Sequence, residues 1–251
     1  MIPQSFHQIW LGGSPLPPQV EELRSTWREH HPGWEFRLWR EDDLRWLRNG
    51  GLFCRATSYS QKADLARYEI IERVGGVYLD TDMECLDELG ELVEGCSFFG
   101  GLEPSGAIAS CIFGAEPGHP FLRQVIASFP ISCLFNSDIM HQTGPGHLST
   151  VFRRGGWEHR QGVRVYPAPY FNVYGLNVSE PGAEPSRASY AVHHAVYSWK
   201  GDQPLKATLR DCLPRSGYEA RIVAGQLAER IRGSLNYRIV EPVRKRLVGN
   251  P

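Results

Sequence analysis

The run Gly75-Gly76-Val77-Tyr78-Leu79-Asp80-Thr81-Asp82 places two carboxylates at the end of a short apolar stretch. Strand side chains alternate, so Tyr78, Asp80 and Asp82 face one side if the extended conformation continues through Thr81. Two acids so placed are not needed by a core, and buried without partners they would cost several kcal/mol. A divalent cation, Mn²⁺ or Mg²⁺, resolves the conflict by taking oxygen ligands from both. Asp-x-Asp alone is unspecific, because surface turns produce it often. Asp64 and Arg67 lie three apart on the preceding helical segment and share a face. Arg67 can neutralise a phosphate, and Asp64 can accept hydrogen bonds from sugar hydroxyls. The same pair also reads as a local surface salt bridge, which is worth little.

The elements that must position these groups follow from the surrounding pattern. Phe6 to Leu11 reads as a first strand, ending in Gly12-Gly13. Gln19 to His30 has helical spacing, with Val20, Leu23 and Trp27 on one face, and Trp34 to Trp39 alternates like a strand. Together they form a βαβ unit, for which a parallel sheet is expected. Glu41-Asp42-Asp43 opens a short helix. A longer helix is predicted from about Ser60 to Val74, closed by Gly75-Gly76 in a left-handed cap. Further strands are expected over 97–103, 107–115, 164–169 and 190–199, and a helix over 119–129. A loop is expected over 177–189. Thr143-Gly144-Pro145-Gly146 precedes another short helix. The stretch from Arg221 to Leu247 is basic and amphipathic, with Pro242 as a kink. It reads as a terminal helix packed on the domain, or as a candidate for peripheral contact with an anionic membrane surface.

The chain of 251 residues suits one α/β domain. Its 27 basic and 28 acidic side chains give a net charge of -1, which argues against a nucleic-acid-coating protein. The six cysteines form no Cys-x-x-Cys pair, and they are expected to be reduced thiols. The N-terminus lacks the pattern of a signal peptide, and no apolar run approaches a membrane span. These features point to a cytoplasmic protein, with membrane contact at most peripheral.

The run Ser60 to Tyr68 followed by Gly75 to Asp82 resembles the signature of glycosyltransferases containing the sugar-binding DXD region. That family includes yeast initiating α-1,6-mannosyltransferase, vertebrate α-1,4-galactosyltransferase and bacterial capsule and lipopolysaccharide enzymes. The glucosylating domains of clostridial toxins share the local pattern. Ile2-Pro3 with His7 to Gly12, Thr143-Gly144-Pro145, and Tyr190 to His194 with Ser198-Trp199 are similar to the family's other blocks, in the family's order. The resemblance covers about residues 2 to 199. It implies a GT-A fold, a single domain over 1–205 with a Rossmann-like, mixed but mainly parallel sheet flanked by helices, and a helical extension over 206–251.

The resemblance also implies roles. Trp10 stacks near the donor's base, while Asp64, Arg67 and Tyr78 contact its ribose, phosphates or sugar. Asp80 lies at the sugar-phosphate end, and Asp82 binds the metal. His193 is a further metal ligand, and Ser198 and Trp199 close over the diphosphate. Ala195-Val196 replaces the residues usual after the histidine pair, which leaves His193 and His194 both open as ligand. Tyr197 stands where the family often has glycine.

The expected reaction is retaining transfer of a hexose from a UDP- or GDP-sugar to a glycan, lipid-linked or small-molecule acceptor. Mn²⁺ or Mg²⁺, with Arg67, stabilises the departing diphosphate. Two alternatives stand beside it. One is a phosphohydrolase of the haloacid-dehalogenase type, against which Tyr78 and Glu84 speak. The other is a non-catalytic sugar-nucleotide-binding protein.

Overall fold

The computed structural model of the chain describes residues 1–171, 188–194, 218 and 221–229. The first strand, β1 (Ser5–Ile9), is followed by helix α1 (Pro18–His30) and strand β2 (Glu35–Trp39), which pairs parallel with β1. This is the predicted βαβ unit. After a 3-10 turn at Glu41–Leu44 and helix α2 (Gly50–Arg55) comes α3 (Tyr59–Val74). Ser58 caps α3 by accepting the Gln61 N–H, and Gly75 ends it. Gly75 and Gly76 both take positive φ, 72° and 92°, but the ψ of Gly75 is −165°. The helix therefore stops in an extended left-handed conformation, not the helical cap expected. A Cβ on Gly76 would lie 2.7 Å from the Ser5 carbonyl oxygen, so only glycine permits this approach to β1.

Strand β3 (Gly76–Leu79) then enters the sheet beside β1, and a turn leads to β4 (Met83–Cys85). Helix α4 (Gly90–Val93), β5 (Phe98–Leu102) and β6 (Ile108–Ala115) follow. The main sheet has six strands in the order β2-β1-β3-β6-β5-β7, where β7 is Val163–Tyr166. Only β6 runs against its neighbours, so the sheet is mixed and mainly parallel, as expected. Strand β8 (Ala191–His193) does not join it. It pairs antiparallel with β4 in a separate two-stranded sheet.

Helices pack on both faces of the main sheet. On one face, Leu65 and Tyr68 of α3 meet Phe113, Phe121 and Phe129 in a buried core. On the other, Trp27 of α1 packs with Phe6, Val77, Leu79 and Phe99. Tyr78 thus faces α3 while its neighbours face α1, as the pleat requires. Helix α5 (Pro120–Phe135) runs past the predicted end at Phe129 and straight through Pro130. Proline cannot donate to the Ile126 carbonyl four residues back, and the Asn49 side chain donates to that oxygen instead, at 3.2 Å. Helices α6 (Ile139–Gln142) and α7 (Pro145–Arg154) flank Thr143-Gly144. The described part of the basic C-terminal stretch, residues 221–229, is helical. Val223 and Leu227 pack on Ile131 and Leu134 of α5, which agrees with the packed-helix reading over this span. Pro242 lies outside the described residues. Among the described residues no helix is long and apolar enough to cross a membrane.

Candidate metal and donor site

Strand β3 delivers Asp80 to the edge of the main sheet. The Asp80 N–H still donates to the Cys111 carbonyl on β6, at 2.8 Å. There the extended run ends, for the Met83 N–H bonds back to the Asp80 carbonyl at 3.3 Å and closes a turn over Thr81-Asp82. The two carboxylates are therefore brought together by a turn, not by strand alternation as the sequence suggested.

The small sheet supplies a third group. Met83 pairs with His193, which sets the imidazole beside the turn. His193 Nε2 lies 3.3 Å from Asp82 Oδ1 and 4.0 Å from Asp80 Oδ2. One ligand atom from each of Asp80, Asp82 and His193 falls within 4.8 Å of the others. Ligands held at ordinary metal–oxygen and metal–nitrogen distances are roughly 3–4.5 Å apart, so these three fit a single divalent cation. All three are partly exposed, which leaves coordination positions for a second molecule. His194 projects elsewhere, with Nε2 2.9 Å from Glu84 Oε2.

Behind the carboxylates lies Arg67. It is 5% exposed, and its guanidinium is 3.2 Å from Asp64 and 3.3 Å from Asp80. It also donates to the Ser110 carbonyl at 2.7 Å and lies over the Tyr78 ring at 4.6 Å. The Asp64–Arg67 pair is thus buried, and the surface salt bridge is excluded. Tyr78 is 1% exposed and spends its hydroxyl on Asp80 Oδ1, at 2.6 Å. Thr143, from the loop between α6 and α7, donates to Asp64 at 3.1 Å and so joins the predicted acceptor-side block to the helix.

The electrostatics follow from burial. Burial raises the Asp64 pKa to about 6, with Arg67 working against the rise. Burial raises Asp80 as well, again opposed by Arg67, while the nearby Asp82 adds to the rise. For His193 burial favours the neutral ring, but Cys111 and the hydrogen bond to Asp82 outweigh it and hold the imidazole well above its ordinary value. A proton on His193 therefore competes with any cation, and binding a cation must release it.

Trp10 is half-buried just past the end of β1, and its indole N–H donates to the Ser14 carbonyl at 3.0 Å. Ser198 and Trp199 lie outside the described residues. Two neighbours of the site escaped sequence reasoning. Gln8 donates to the Asp80 carbonyl at 3.4 Å, and Glu103 sits close enough to His193 to feel its charge. Gln8 is a buried position within the first block itself, a signal that was open to reading. Glu103 lies in a β5–β6 turn that carries none.

Residues 17–98 match the family described as glycosyltransferase sugar-binding region containing DXD motif. The resemblance read from the motif is thereby borne out. The chain is 30% identical over 162 residues to inositol phosphoceramide mannosyltransferase 3 of Schizosaccharomyces pombe, covering 60% of this chain and 45% of that one. It is 28% identical over 155 residues to the uncharacterized glycosyltransferase L373 of Acanthamoeba polyphaga mimivirus, covering 57% and 62% respectively. The chain thus spans about half the length of the curated relatives it matches. Among solved structures, the apo-form glycosyltransferase GlyE of Streptococcus pneumoniae TIGR4 superposes with a TM-score of 0.51 at 11% identity, over 91% of this chain and 64% of that one. That likeness bears on fold, and the fold is of the GT-A type.

Proposed function

We propose that the chain is a metal-dependent glycosyltransferase that moves a hexose from a nucleotide-diphosphate sugar to an acceptor hydroxyl. One observation carries the reading: Asp80, Asp82 and His193 converge within 4.8 Å beside a buried Arg67. Asp80, Asp82 and His193 would hold Mn²⁺ or Mg²⁺, which supplies Lewis-acid stabilisation of the leaving diphosphate when bound. The chain's own residues do the rest. Arg67 keeps Asp80 and Asp64 anionic in a buried setting, and Tyr78 fixes the Asp80 rotamer through its hydroxyl. Asp64, anchored by Thr143, presents a carboxylate to sugar or ribose hydroxyls. Trp10 offers a ring for the base, and Ser198 and Trp199 are assigned the diphosphate side. The acids serve as ligands and anchors. A glycosidase would instead need two carboxyls flanking the scissile bond, one of them protonated. Relatives named for mannosyl transfer to inositol phosphoceramide support a hexosyl donor and make a lipid-linked acceptor the first to try.

The test is a thermal-shift screen of UDP- and GDP-sugars with and without Mn²⁺, since a ligand that binds the folded state raises its stability. A Mn²⁺-dependent shift with one nucleotide class is expected, lost in Asp82→Ala and His193→Ala and kept in His194→Ala. A shift indifferent to Mn²⁺ would overturn the assignment. Binding without any release of nucleotide diphosphate, to acceptor or to water, would convert the reading to a sugar-nucleotide-binding protein.

A further inference from the structure

Helix α1 lies on the opposite face of the sheet from Arg67, yet it reaches the Asp80–Met83 turn at both ends. Arg24 is 6% exposed and donates through Nε to Gln8 Oε1 at 2.7 Å. Gln8, 1% exposed, donates through Nε2 to the Asp80 carbonyl at 3.4 Å. The orientation of that amide is forced. Arg24 can only donate, so the Gln8 oxygen must face it and the NH₂ group must face Asp80. At the other end of the turn, the Trp27 indole N–H donates to the Met83 carbonyl at 2.8 Å. One residue earlier on α1, Thr26 Oγ1 accepts the Cys85 N–H at 2.9 Å.

A buried arginine and a buried glutamine are costly in a core unless their hydrogen bonds are worth having. Here the guanidinium finds its carboxylate, Glu21 at 2.6 Å, on the outer side, and its inner N–H is given to an amide oxygen. A charged donor on one end of an amide strengthens what the other end donates. The Asp80 carbonyl that receives this bond is the one that closes the turn with the Met83 N–H. The geometry points to Gln8 and Arg24 as positioning residues. Together with Trp27 they fix the backbone of the turn from the α1 side, and so preset the spacing of the Asp80 and Asp82 carboxylates for a divalent cation. None of the three touches the cation or the substrate. This inference rests on the proposed metal-dependent reading of the same site.

Partners of this outer kind are commonly worth about 10-fold or more in metal affinity. The experiment titrates Mn²⁺ alone into the full chain and follows the electron paramagnetic resonance signal of the free hydrated ion. Melting temperature is recorded in parallel. Gln8→Met keeps the length and loses the amide, and it is expected to weaken Mn²⁺ binding about 10-fold. Arg24→Met should do likewise, with Arg24→Lys recovering part of the loss because an ammonium can still donate to the Gln8 oxygen. Asn49→Ala removes the side-chain hydrogen bonds to Glu69 of α3 and to the Ile126 carbonyl of α5, and serves as a destabilised control, expected to melt lower while binding Mn²⁺ as the parent does. If Gln8→Met fails to fold, Trp27→Phe asks the same question by deleting one donor. Unchanged Mn²⁺ affinity in Gln8→Met, or in Trp27→Phe in its place, overturns the positioning role. A loss equalled by Asn49→Ala overturns it too, since the effect would then be general loosening. A parent chain that takes up no Mn²⁺ overturns the metal-dependent reading itself, and the inference with it.

Discussion

Arg67→Met puts the buried charge balance to a direct test. The guanidinium lies 3.2 Å from Asp64 and 3.3 Å from Asp80, with side chains 10% and 24% exposed. At an effective dielectric of about 20, each pair contributes about 4 kcal/mol of gross attraction. Much of that is offset by desolvation, and removing one member of a buried network costs about 3–5 kcal/mol net. In a domain of this size such a loss lowers the melting temperature by about 6–20 °C. The pH dependence supplies the sign. Without Arg67 the folded-state pKa values of Asp64 and Asp80 rise further above their unfolded values, so the variant's deficit must grow as pH rises and shrink as the acids take up protons. Melts by circular dichroism at about pH 7.5 and about pH 5, without added metal, measure both effects. In the double variant with Asp64→Asn the deficit at the higher pH should shrink, because one uncompensated carboxylate is gone. An Arg67→Met chain melting within about 2 °C of the parent at the higher pH would refute the reasoning, as would a deficit that ignores pH.

Acid should unfold the chain early. Burial lowers the pKa values of His7, His119 and His147 to about 4 each, so the unfolded chain binds more protons between about pH 6.5 and 4 and stability falls with pH across that window. Asp64, raised to about 6, acts in the opposite sense, and the net loss between about pH 7 and 5 is of order 4 kcal/mol at most, read from urea melts. Gly76→Ala adds positive-φ strain to a clash with Ser5 and should cost about 2–6 kcal/mol, seen as loss of soluble, cooperatively melting protein.

The sequence made most of the main sheet and the central helix legible, because those elements carry strong periodicity and punctuation. Ser58 and the Gly75-Gly76 pair bracket α3, and the βαβ unit at the start declares itself in its alternation. The site was harder, for reasons that are physical. The Asp80–Asp82 pair was visible, but whether a chain turns or stays extended after a strand depends on partners elsewhere, here the Asp80 carbonyl, Gln8 and Met83. The choice between His193 and His194 depended on the β4–β8 pairing, which no local pattern announces. The continuation of α5 through Pro130 depended on a single side chain, Asn49, arriving from another helix. Spacing on α1 marked only its apolar face, and Arg24 is buried beside that face because an amide on β1 accepts its Nε–H.

The pairing of β4 with β8 also orders events in time. By Tyr166 a growing chain has released every strand of the six-stranded sheet, together with both aspartates of the turn. It cannot complete the three-donor trap until His193 has emerged and β8 has zipped onto β4. A cation held by all three donors would then report that synthesis has passed His193 and that the small sheet has closed.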